Sequence, residues 1–328
     1  MAKKGRVFSG ARPTGRQHIG NYLGAIRNYV KLQQDYECVY CIVDLHALTS
    51  LTNTAELRQN TYEMALDWLA AGMDPEQSII FIQSHVPQVT ELHLLLSMVT
   101  PMGRLTRLPT FKEKVRQQPD NVNYGLLGYP VLMAADIVLY KADTVPVGED
   151  QAPHVEFTRE IVRRFNNIYG EVLIEPKIVL TETPRIMGTD GVNKMGKSLD
   201  NHIELAAEPA EIRRRVMSMV TDPQRQFKTD PGRPEICNVQ TLHKVFCPDP
   251  ALTEQIAQQC RNATIGCVEH KRMLAEDLIK ALAPHRERRA ELAARPDRIW
   301  EILNDGAERA RKLASETLRE CKEAVGLP

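Results

Sequence analysis

The chain has 328 residues, of which 43% are hydrophobic and 26% charged, a composition typical of a globular protein with room for one large domain or two moderate ones. Its 42 Lys and Arg residues balance its 42 Asp and Glu residues, so no global positive charge indicates a nucleic-acid partner, although a local patch would suffice. The sequence has no membrane-spanning apolar run, and MAKKGRVFSG lacks the apolar core of a signal peptide. We therefore expect a cytoplasmic protein without a membrane or DNA partner.

The first hundred residues alternate between strand-like and helix-like segments. Short apolar runs, each typical of a buried strand, stand at 6–9 (RVFS), 38–43 (CVYCIV) and 78–83 (SIIFIQ). Apolar residues at helical spacing follow each run, and the first of these helices begins at Ile19. Strands alternating with helices predict an α/β fold, with a parallel sheet covered on both faces and ligands at the carboxyl ends of its strands.

The second part of the chain departs from this alternation twice. Residues 100–128 are polar and rich in Lys, Arg, Pro and Asn, which indicates an insertion or a connecting segment. The alternation resumes with the apolar helix at 132–140, a strand at 144–147 and a helix over 152–166. Beyond about residue 205 only charged amphipathic helices are predicted, so we expect a change of domain there.

Two short motifs have the chemistry of a nucleotide site. In SGARPTGRQHIGN, Gly10 and Gly20 stand where a strand ends and a helix begins, so a ligand can approach the backbone and the helix N-terminus can bind an anion. Lys194 and Lys197 of KMGKS are three residues apart in a loop, so both can reach one polyphosphate. Either motif alone is more typical of an ordinary turn or a solvated loop, but the pair favours nucleotide binding.

Together the two motifs resemble the paired signatures of class I aminoacyl-tRNA synthetases. HIGN is similar to the HIGH element of that family, with Asn21 in place of the last histidine, and KMGKS is similar to its KMSKS loop, with Gly196 in place of serine. The resemblance implies that His18, Lys194 and Lys197 act in catalysis. It also implies an ATP site formed by Gly10, Arg12, His18, Gly20, Asn21, Gly148, Asp150, Met187, Lys194, Met195, Lys197 and Ser198.

The segment 125–160 resembles the amino-acid pocket of tryptophanyl-tRNA synthetases, and its VPVGEDQ sequence followed by a histidine is characteristic of them. Asp136 interrupts an apolar helix, where an unpaired carboxylate is costly, so a polar ligand would satisfy it. An aspartate considered alone is more typically a surface or capping residue. The resemblance implies that Asp136 accepts the indole N–H of tryptophan, in a pocket formed by Phe8, His46, Tyr129, Met133, Asp136 and Gln151.

The same resemblance implies the reaction and the partners. Tryptophan and Mg·ATP would give tryptophanyl-adenylate and pyrophosphate, and the tryptophanyl group would then pass to tRNA(Trp) in a homodimeric enzyme. Arg213, Arg214 and Arg215 would face tRNA or, equally well, solvent. The alternatives are a tyrosyl-tRNA synthetase, against which Asp136 argues, and a non-catalytic paralogue that binds tryptophan, nucleotide or tRNA.

The resemblance also implies a domain organisation. A Rossmann-type catalytic domain would span 1–205, with a dimer-forming insertion at about 105–178. An α-helical anticodon-binding domain would span 206–308, and the helix at 309–328 would return to the catalytic domain.

Four of the seven cysteines fall within one short stretch of the chain. Cys237, Cys260, Cys267 and His270 have spacing similar to that of a [4Fe–4S] site in some tryptophanyl-tRNA synthetases, where the last ligand is a cysteine. Three thiols and one imidazole are also suited to structural zinc, Cys247 offers another fourth ligand, and cysteines without metal are the remaining interpretation. In contrast, Cys38 and Cys41 should face opposite sides of one strand and belong to the core.

Overall fold

Five strands form a single parallel sheet, as the alternating sequence pattern predicts. The computed structural model describes residues 3–51, 53–117, 119–149, 151–180 and 186–328. The strand order is β3-β2-β1-β4-β5, so the direction in which successive strands are added reverses between β1 and β4. The strands are β1 (Arg6–Ala11), β2 (Glu37–Ile42), β3 (Ser78–Ile82), β4 (Thr144–Val147) and β5 (Lys177–Leu180).

The helices connect the strands and then make up the regular structure of the described residues beyond Pro209. The predicted helix at Ile19 is divided, because the five residues Tyr22–Ile26 form a π-helical turn between two α-helical segments. The α-helices are α1 (Ile19–Asn21), α2 (Arg27–Asp35), α3 (Asp44–Ala47), α4 (Leu57–Ala70), α5 (Gln88–Met98), α6 (Met102–Leu105), α7 (Pro109–Gln117), α8 (Tyr124–Leu139), α9 (Ala152–Tyr169), α10 (Pro209–Ser218), α11 (Asn238–Phe246), α12 (Pro250–Arg261), α13 (Cys267–Ala293) and α14 (Pro296–Ala324).

Both faces of the sheet are buried, because successive side chains of a strand point to opposite sides. Cys38 of β2 belongs to the core on one face, which also contains Leu274 and Leu278 of α13. Cys41 belongs to the core on the other face, together with residues of α8 and α9. The two cysteines are therefore core residues on opposite faces, as predicted.

The last helix, α14, packs directly against β3. A Cβ atom on Gly306 would lie only 2.0 Å from the carbonyl oxygen of Ile80, so this close approach requires glycine. Helix α14 is continuous through positions 308 and 309, where the sequence analysis separated two segments. None of the described helices has the length and apolar character needed to cross a membrane.

Candidate active site

A cavity of about 490 Å³ opens between β1 and β4, at the point where the strand order reverses. Ligands of open α/β sheets bind at such switch points, beyond the carboxyl ends of the strands. Gly24 of the π-helical turn also faces this cavity, and a Cβ atom added there would meet nothing within 4 Å. Nine residues of the predicted site line the cavity: Phe8, Gly10, Arg12, His46, Tyr129, Met133, Asp136, Gly148 and Gln151.

Asp136 lies at the bottom of this cavity, only 1% exposed, on helix α8. Its carboxylate accepts hydrogen bonds from Gln83 Nε2, at 2.8 and 2.7 Å to the two oxygens, and lies 2.9 Å from His46 Nε2. The protein itself therefore supplies two partners for this carboxylate, in addition to the polar ligand that the sequence analysis considered. A carboxylate has about four acceptor positions, so these three contacts leave one position on Oδ1 for another donor.

The remaining residues of the predicted tryptophan pocket give the cavity an aromatic lining. Phe8 is 4% exposed and stacks on Tyr140, with ring centroids 5.6 Å apart. Tyr129 places its hydroxyl 3.2 Å from His154 Nε2, and its ring lies edge-on to that of His46. Flat apolar walls around one buried acceptor are suited to a planar heteroaromatic ring that carries an N–H donor.

The HIGN motif forms the first turn of α1, and its asparagine has a structural role. The backbone N–H of His18 donates to Asn21 Oδ1 at 3.1 Å, and the backbone N–H of Asn21 donates to His18 Nδ1 at 3.3 Å. This is a reciprocal capping box. Burial, with His202, Lys197 and Lys194 nearby, lowers the pKa of His18 to about 4. The imidazole is therefore neutral at pH 7, as required for Nδ1 to accept a hydrogen bond.

The KMGKS segment packs against the same turn. Lys197 Nζ donates to the carbonyl oxygen of Thr14 at 2.8 Å, and burial lowers its pKa. Met195 is 5% exposed, and its Cβ atom would lie 3.3 Å from a Cβ on Gly20. Met187 pairs with Lys194 in an isolated antiparallel bridge, so the loop is anchored at its base. The two sequence motifs, about 175 residues apart, are thus adjacent in space.

The predicted ATP residues do not all face the cavity. Gly10, Arg12 and Gly148 line it, whereas His18, Gly20 and Asn21 lie in the neighbouring turn. The other members of the set outside the cavity lining belong to the adjacent loop: Met187, Lys194, Met195, Lys197 and Ser198. Asp150 lies outside the described residues.

Two residues of the site were not identified from the sequence: Gln83, which holds Asp136, and Lys114, which lines the cavity. Gln83 follows β3 and reaches Asp136, and its Oε1 also accepts the backbone N–H of Leu45 at 3.1 Å. Lys114 of α7 places its Nζ 4.1 Å from the ring centroid of Tyr129, and burial followed by Arg12 lowers its pKa. Lys114 lies within residues 100–128, for which the sequence analysis predicted no site residue. The lysines of this segment were the one sequence feature that pointed to a role in the cavity.

Cys237, Cys260, Cys267 and His270 all line one small cavity of about 10 Å³ in the helical half of the chain. Arg225 also lines it and donates through Nη1 to Cys260 Sγ at 3.4 Å and to Cys267 Sγ at 3.8 Å. Burial, followed by the neighbouring His243, lowers the pKa of His270 to about 4. Its ring is therefore neutral at pH 7, the form that binds metal ions.

Cys247 lies apart from this cavity. Its sulfur lies with His243 and Asp277 in a group whose nitrogen, sulfur and oxygen atoms are all within 4.8 Å of one another. His243 Nε2 is 2.9 Å from Asp277 Oδ2, and His243 Nδ1 is 3.0 Å from His270 Nε2. His270 rather than Cys247 is therefore the fourth residue beside the three clustered cysteines.

Comparisons with known proteins agree with this geometry. The family model for class I tRNA synthetases of the W and Y group matches residues 1–283. A tryptophan–tRNA ligase from Deinococcus radiodurans is 46% identical over 98% of this chain and 98% of its own length, and one from Aquifex aeolicus is 42% identical over 98% and 100%. The chain belongs to the bacterial tryptophan–tRNA ligases.

Solved structures support membership of the tryptophan–tRNA ligase family over nearly the full chain. Tryptophanyl-tRNA synthetase from Campylobacter jejuni, solved with ADP and tryptophan, superimposes with a TM-score of 0.89 at 37% identity, covering 98% of this chain and 100% of that one. A tyrosyl-tRNA synthetase from Archaeoglobus fulgidus gives 0.67 at 20% identity, which shows only a shared fold. The identity of 37–46% to tryptophan enzymes over nearly their full length, and not this shared fold, decides against the tyrosyl alternative.

Proposed function

We propose that this member of the tryptophan–tRNA ligases activates tryptophan with ATP in the cavity between β1 and β4 and then charges tRNA(Trp). The observation that carries the proposal is the buried Asp136 carboxylate, oriented by Gln83 and His46 with one acceptor position left. A ligand with a ring donor would complete that carboxylate. The indole of tryptophan has such an N–H group, whereas the ring of phenylalanine has none.

For tryptophan, we propose that Phe8, Tyr129 and Met133 contact the indole ring while Asp136 accepts its N–H. A site built to hydrogen-bond a substrate group rejects an analogue without that group by roughly 10⁴–10⁵. Gln151, which also lines the cavity, and His46 provide further polar contacts at its edge. This degree of selection would make a separate editing domain unnecessary.

For ATP, we propose that the nucleotide lies along Gly10, Arg12 and Gly148 and reaches the turn that contains His18 and Gly20. The backbone N–H groups of His18, Ile19 and Asn21 already have acceptors within the protein, so the nucleotide would contact the glycine-containing turn and the nearby lysines rather than a free helix N-terminus. We also assign Asn21, Met187, Met195 and Ser198 to the surroundings of the nucleotide.

The chemistry requires little from the protein beyond alignment and charge. The tryptophan carboxylate is ionised at pH 7, so it attacks the α-phosphorus without a general base, forming an acyl–phosphate bond while the bond to pyrophosphate breaks. Lys194 and Lys197 would stabilise the leaving pyrophosphate once ATP displaces Lys197 from the carbonyl oxygen of Thr14. ATP would carry Mg²⁺ on its phosphates, the usual ligands of that ion in such sites.

We propose that the helices beyond about residue 205, over 206–308, bind the anticodon of tRNA(Trp), while 1–205 forms the catalytic domain and 309–328 returns to it. Arg213, Arg214 and Arg215 are weak candidates for RNA contacts. They form ion pairs with Glu276, Glu211 and Asp200, respectively; Arg213 and Arg214 lie on a solvated helix face, whereas the side chain of Arg215 is only 16% exposed.

We propose a homodimer with its interface in the region of the insertion, about 105–178, and the helices beside it. Leu94, Met98, Met102 and Tyr124 lie on the neighbouring helices α5, α6 and α8, and each side chain is more than half exposed. Large exposed apolar groups that cluster in this way are typical of protein–protein contacts. Such a dimer would function in the cytoplasm.

We propose a metal centre at Cys237, Cys260, Cys267 and His270, either structural zinc or a [4Fe–4S] cluster. The donor set suits both groups, and the Arg225 guanidinium beside the sulfurs suits thiolates. Among the described residues, the group whose ligand atoms lie within 4.8 Å of one another is His243, Cys247 and Asp277, so one ion would require the four proposed ligands to draw together. A cluster would require Arg225 and the thiols to move apart. Analysis of zinc, iron and sulfide in protein purified without oxygen tests this, and absence of all three would contradict it.

The proposed activity is tested by ATP–pyrophosphate exchange followed by tRNA charging with radiolabelled tryptophan. Exchange that depends on tryptophan, together with charging of tRNA(Trp), is the expected result. Failure of both in folded protein supplied with Mg²⁺ would favour the non-catalytic paralogue.

A further inference from the structure

A buried carboxylate lies directly beneath the turn that starts the HIGN motif. Asp67 of α4 is fully buried, and its Oδ2 accepts the backbone N–H of Gln17, the residue before His18, at 2.5 Å. The carbonyl oxygen of Gln17 accepts the N–H of Leu205 at 2.9 Å. Both hydrogen-bonding groups of this peptide segment are thus held by other elements, which fixes where α1 begins.

The opposite side of the turn is held by the KMGKS segment. Lys197 donates to Thr14, and the next residue, Gly15, has a φ of +78°. A Cβ atom on Gly15 would lie 2.6 Å from Asn60 Oδ1 and 3.3 Å from Lys197 Nζ, so the turn is closely confined. Because the turn is held on both sides, a change in the position of the Asp67 carboxylate would shift the backbone between Thr14 and His18.

The position of Asp67 depends in turn on the helical half of the chain. Arg289 of α13 donates through Nε to Asp67 Oδ1 at 2.6 Å, and its Nη2 contacts the carboxylate of Glu63. Arg289 and Glu63 are only 12% and 17% exposed at their side chains, so solvent screens this ion pair little. Glu63 also pairs with Arg16, at 3.3 Å, which lies in the same turn.

The two oxygens of Asp67 are divided between these contacts, one facing Arg289 and the other facing Gln17. Removal of Arg289 would leave a buried negative charge whose nearby cations include Lys197 and Arg16. His285 Nε2, which is 3.4 Å from Oδ1 and has no hydrogen-bond partner, is the nearest replacement, but a single imidazole nitrogen cannot also replace the contact of Arg289 with Glu63. The carboxylate would then rotate towards those cations and release the amide of Gln17.

We propose that Arg289 is a positioning residue for adenylate formation. Through Asp67 it fixes the amide of Gln17 and so the His18–Asn21 turn that receives ATP, which makes the nucleotide site depend on packing of α13 against α4. The inference rests on the proposed function of this turn as part of the ATP site. It predicts a defect specific to ATP, whereas a residue that only tethered two parts of the chain would affect stability alone.

The test compares pyrophosphate-exchange kinetics of Arg289→Gln, Arg289→Lys and the control Arg309→Gln in the full-length protein. Arg309 of α14 also joins the C-terminal helices to the α/β part, donating to the carbonyl oxygen of Pro75 at 2.7 Å, and neither Pro75 nor its other partner, Asp305, belongs to the HIGN turn. Melting temperatures are measured for all variants, and kcat and KM are determined separately for ATP and tryptophan.

For Arg289→Gln we expect kcat/KM for ATP to fall by at least about tenfold, while KM for tryptophan changes by less than about twofold, because misplacement of a binding turn affects the group that it orients. Arg289→Lys keeps the cation but loses the two-pronged contact, so its ATP defect should be smaller. Arg309→Gln should lower the melting temperature without an ATP defect. If Arg289→Gln does not fold, the ATP defect of Arg289→Lys decides the question.

The inference is overturned if Arg289 variants lose stability yet retain wild-type KM and kcat for ATP, or if the constants for tryptophan change as much as those for ATP. Failure of the proposed function is a separate outcome. In that case the wild-type protein would itself lack exchange with tryptophan.

Discussion

The substitution Asp136→Asn removes the charge of the proposed indole acceptor while it keeps the size of the side chain. The wild-type carboxylate is 1% exposed, so water screens its hydrogen bonds very little. A hydrogen bond to a buried charged group contributes about 1.5–3 kcal/mol, which corresponds to a factor of about 10–150 in an equilibrium constant. The asparagine amide must also turn one N–H₂ group towards Gln83 or His46, so its oxygen cannot serve all the present donors.

We therefore expect Asp136→Asn to raise KM for tryptophan in pyrophosphate exchange by about 10–150-fold and to leave KM for ATP nearly unchanged. A tryptophan analogue with sulfur in place of the indole N–H supplies the second arm of a thermodynamic cycle. Wild-type enzyme should discriminate strongly against this analogue, and the variant should discriminate much less.

Asp44→Asn is the matched control, because Asp44 accepts hydrogen bonds from Ser84 near the same site but does not line the cavity. Equal discrimination against the sulfur analogue by wild type and by Asp136→Asn would refute the assignment of Asp136 to the indole. A comparable effect of Asp44→Asn would attribute the loss to general disturbance of this region.

Three further results are expected. Lys197→Ala should lower kcat of pyrophosphate exchange by about 100-fold with KM for tryptophan within about twofold, and equal changes in both would contradict its role at the phosphates. Because the folded protein holds the pKa of His18 at about 4, below the unfolded value of 6.5, unfolded chains bind more protons between these values and stability falls as the pH is lowered through them. Urea unfolding should therefore show that wild type loses about 2 kcal/mol more than His18→Gln between pH 7 and pH 5, and equal losses would contradict this. Met98→Glu should convert the proposed dimer to a monomer in light scattering, whereas a monomeric wild type would refute the dimer itself.

Much of the α/β part could be predicted because its local signals agree with its tertiary role. The strand predicted at 144–147 coincides with β4, and the apolar runs at 6–9, 38–43 and 78–83 lie in or overlap β1, β2 and β3. The periodicity alone does not predict the order of the strands, because it depends on which edges meet after collapse; the order agrees with the Rossmann-type fold that the family resemblance implies. The π-helical turn at Tyr22–Ile26 was also missed, because the spacing of its apolar residues in the sequence is also that of an α-helix.

The site shows the same division between local and tertiary information. Asp136 stood out as a carboxylate in an apolar helix, but its partner Gln83 is 53 residues away and has no sequence signal of its own. Arg289 and Asp67 are separated by 222 residues. Asp67 interrupts the apolar run MALDWLA much as Asp136 interrupts its helix, but Arg289 stands in a charged helical pattern that gives no sign of its partner. Such contacts arise only when distant elements pack together, so spacing along the chain does not reveal them.

The most direct measurement of the central claim is ATP–pyrophosphate exchange with tryptophan and tyrosine tested in parallel. The account predicts exchange with tryptophan and none above background with tyrosine, because Asp136 requires a donor at the position of the indole N–H. Exchange with tyrosine alone would contradict the assignment of Asp136 and of the cavity that surrounds it.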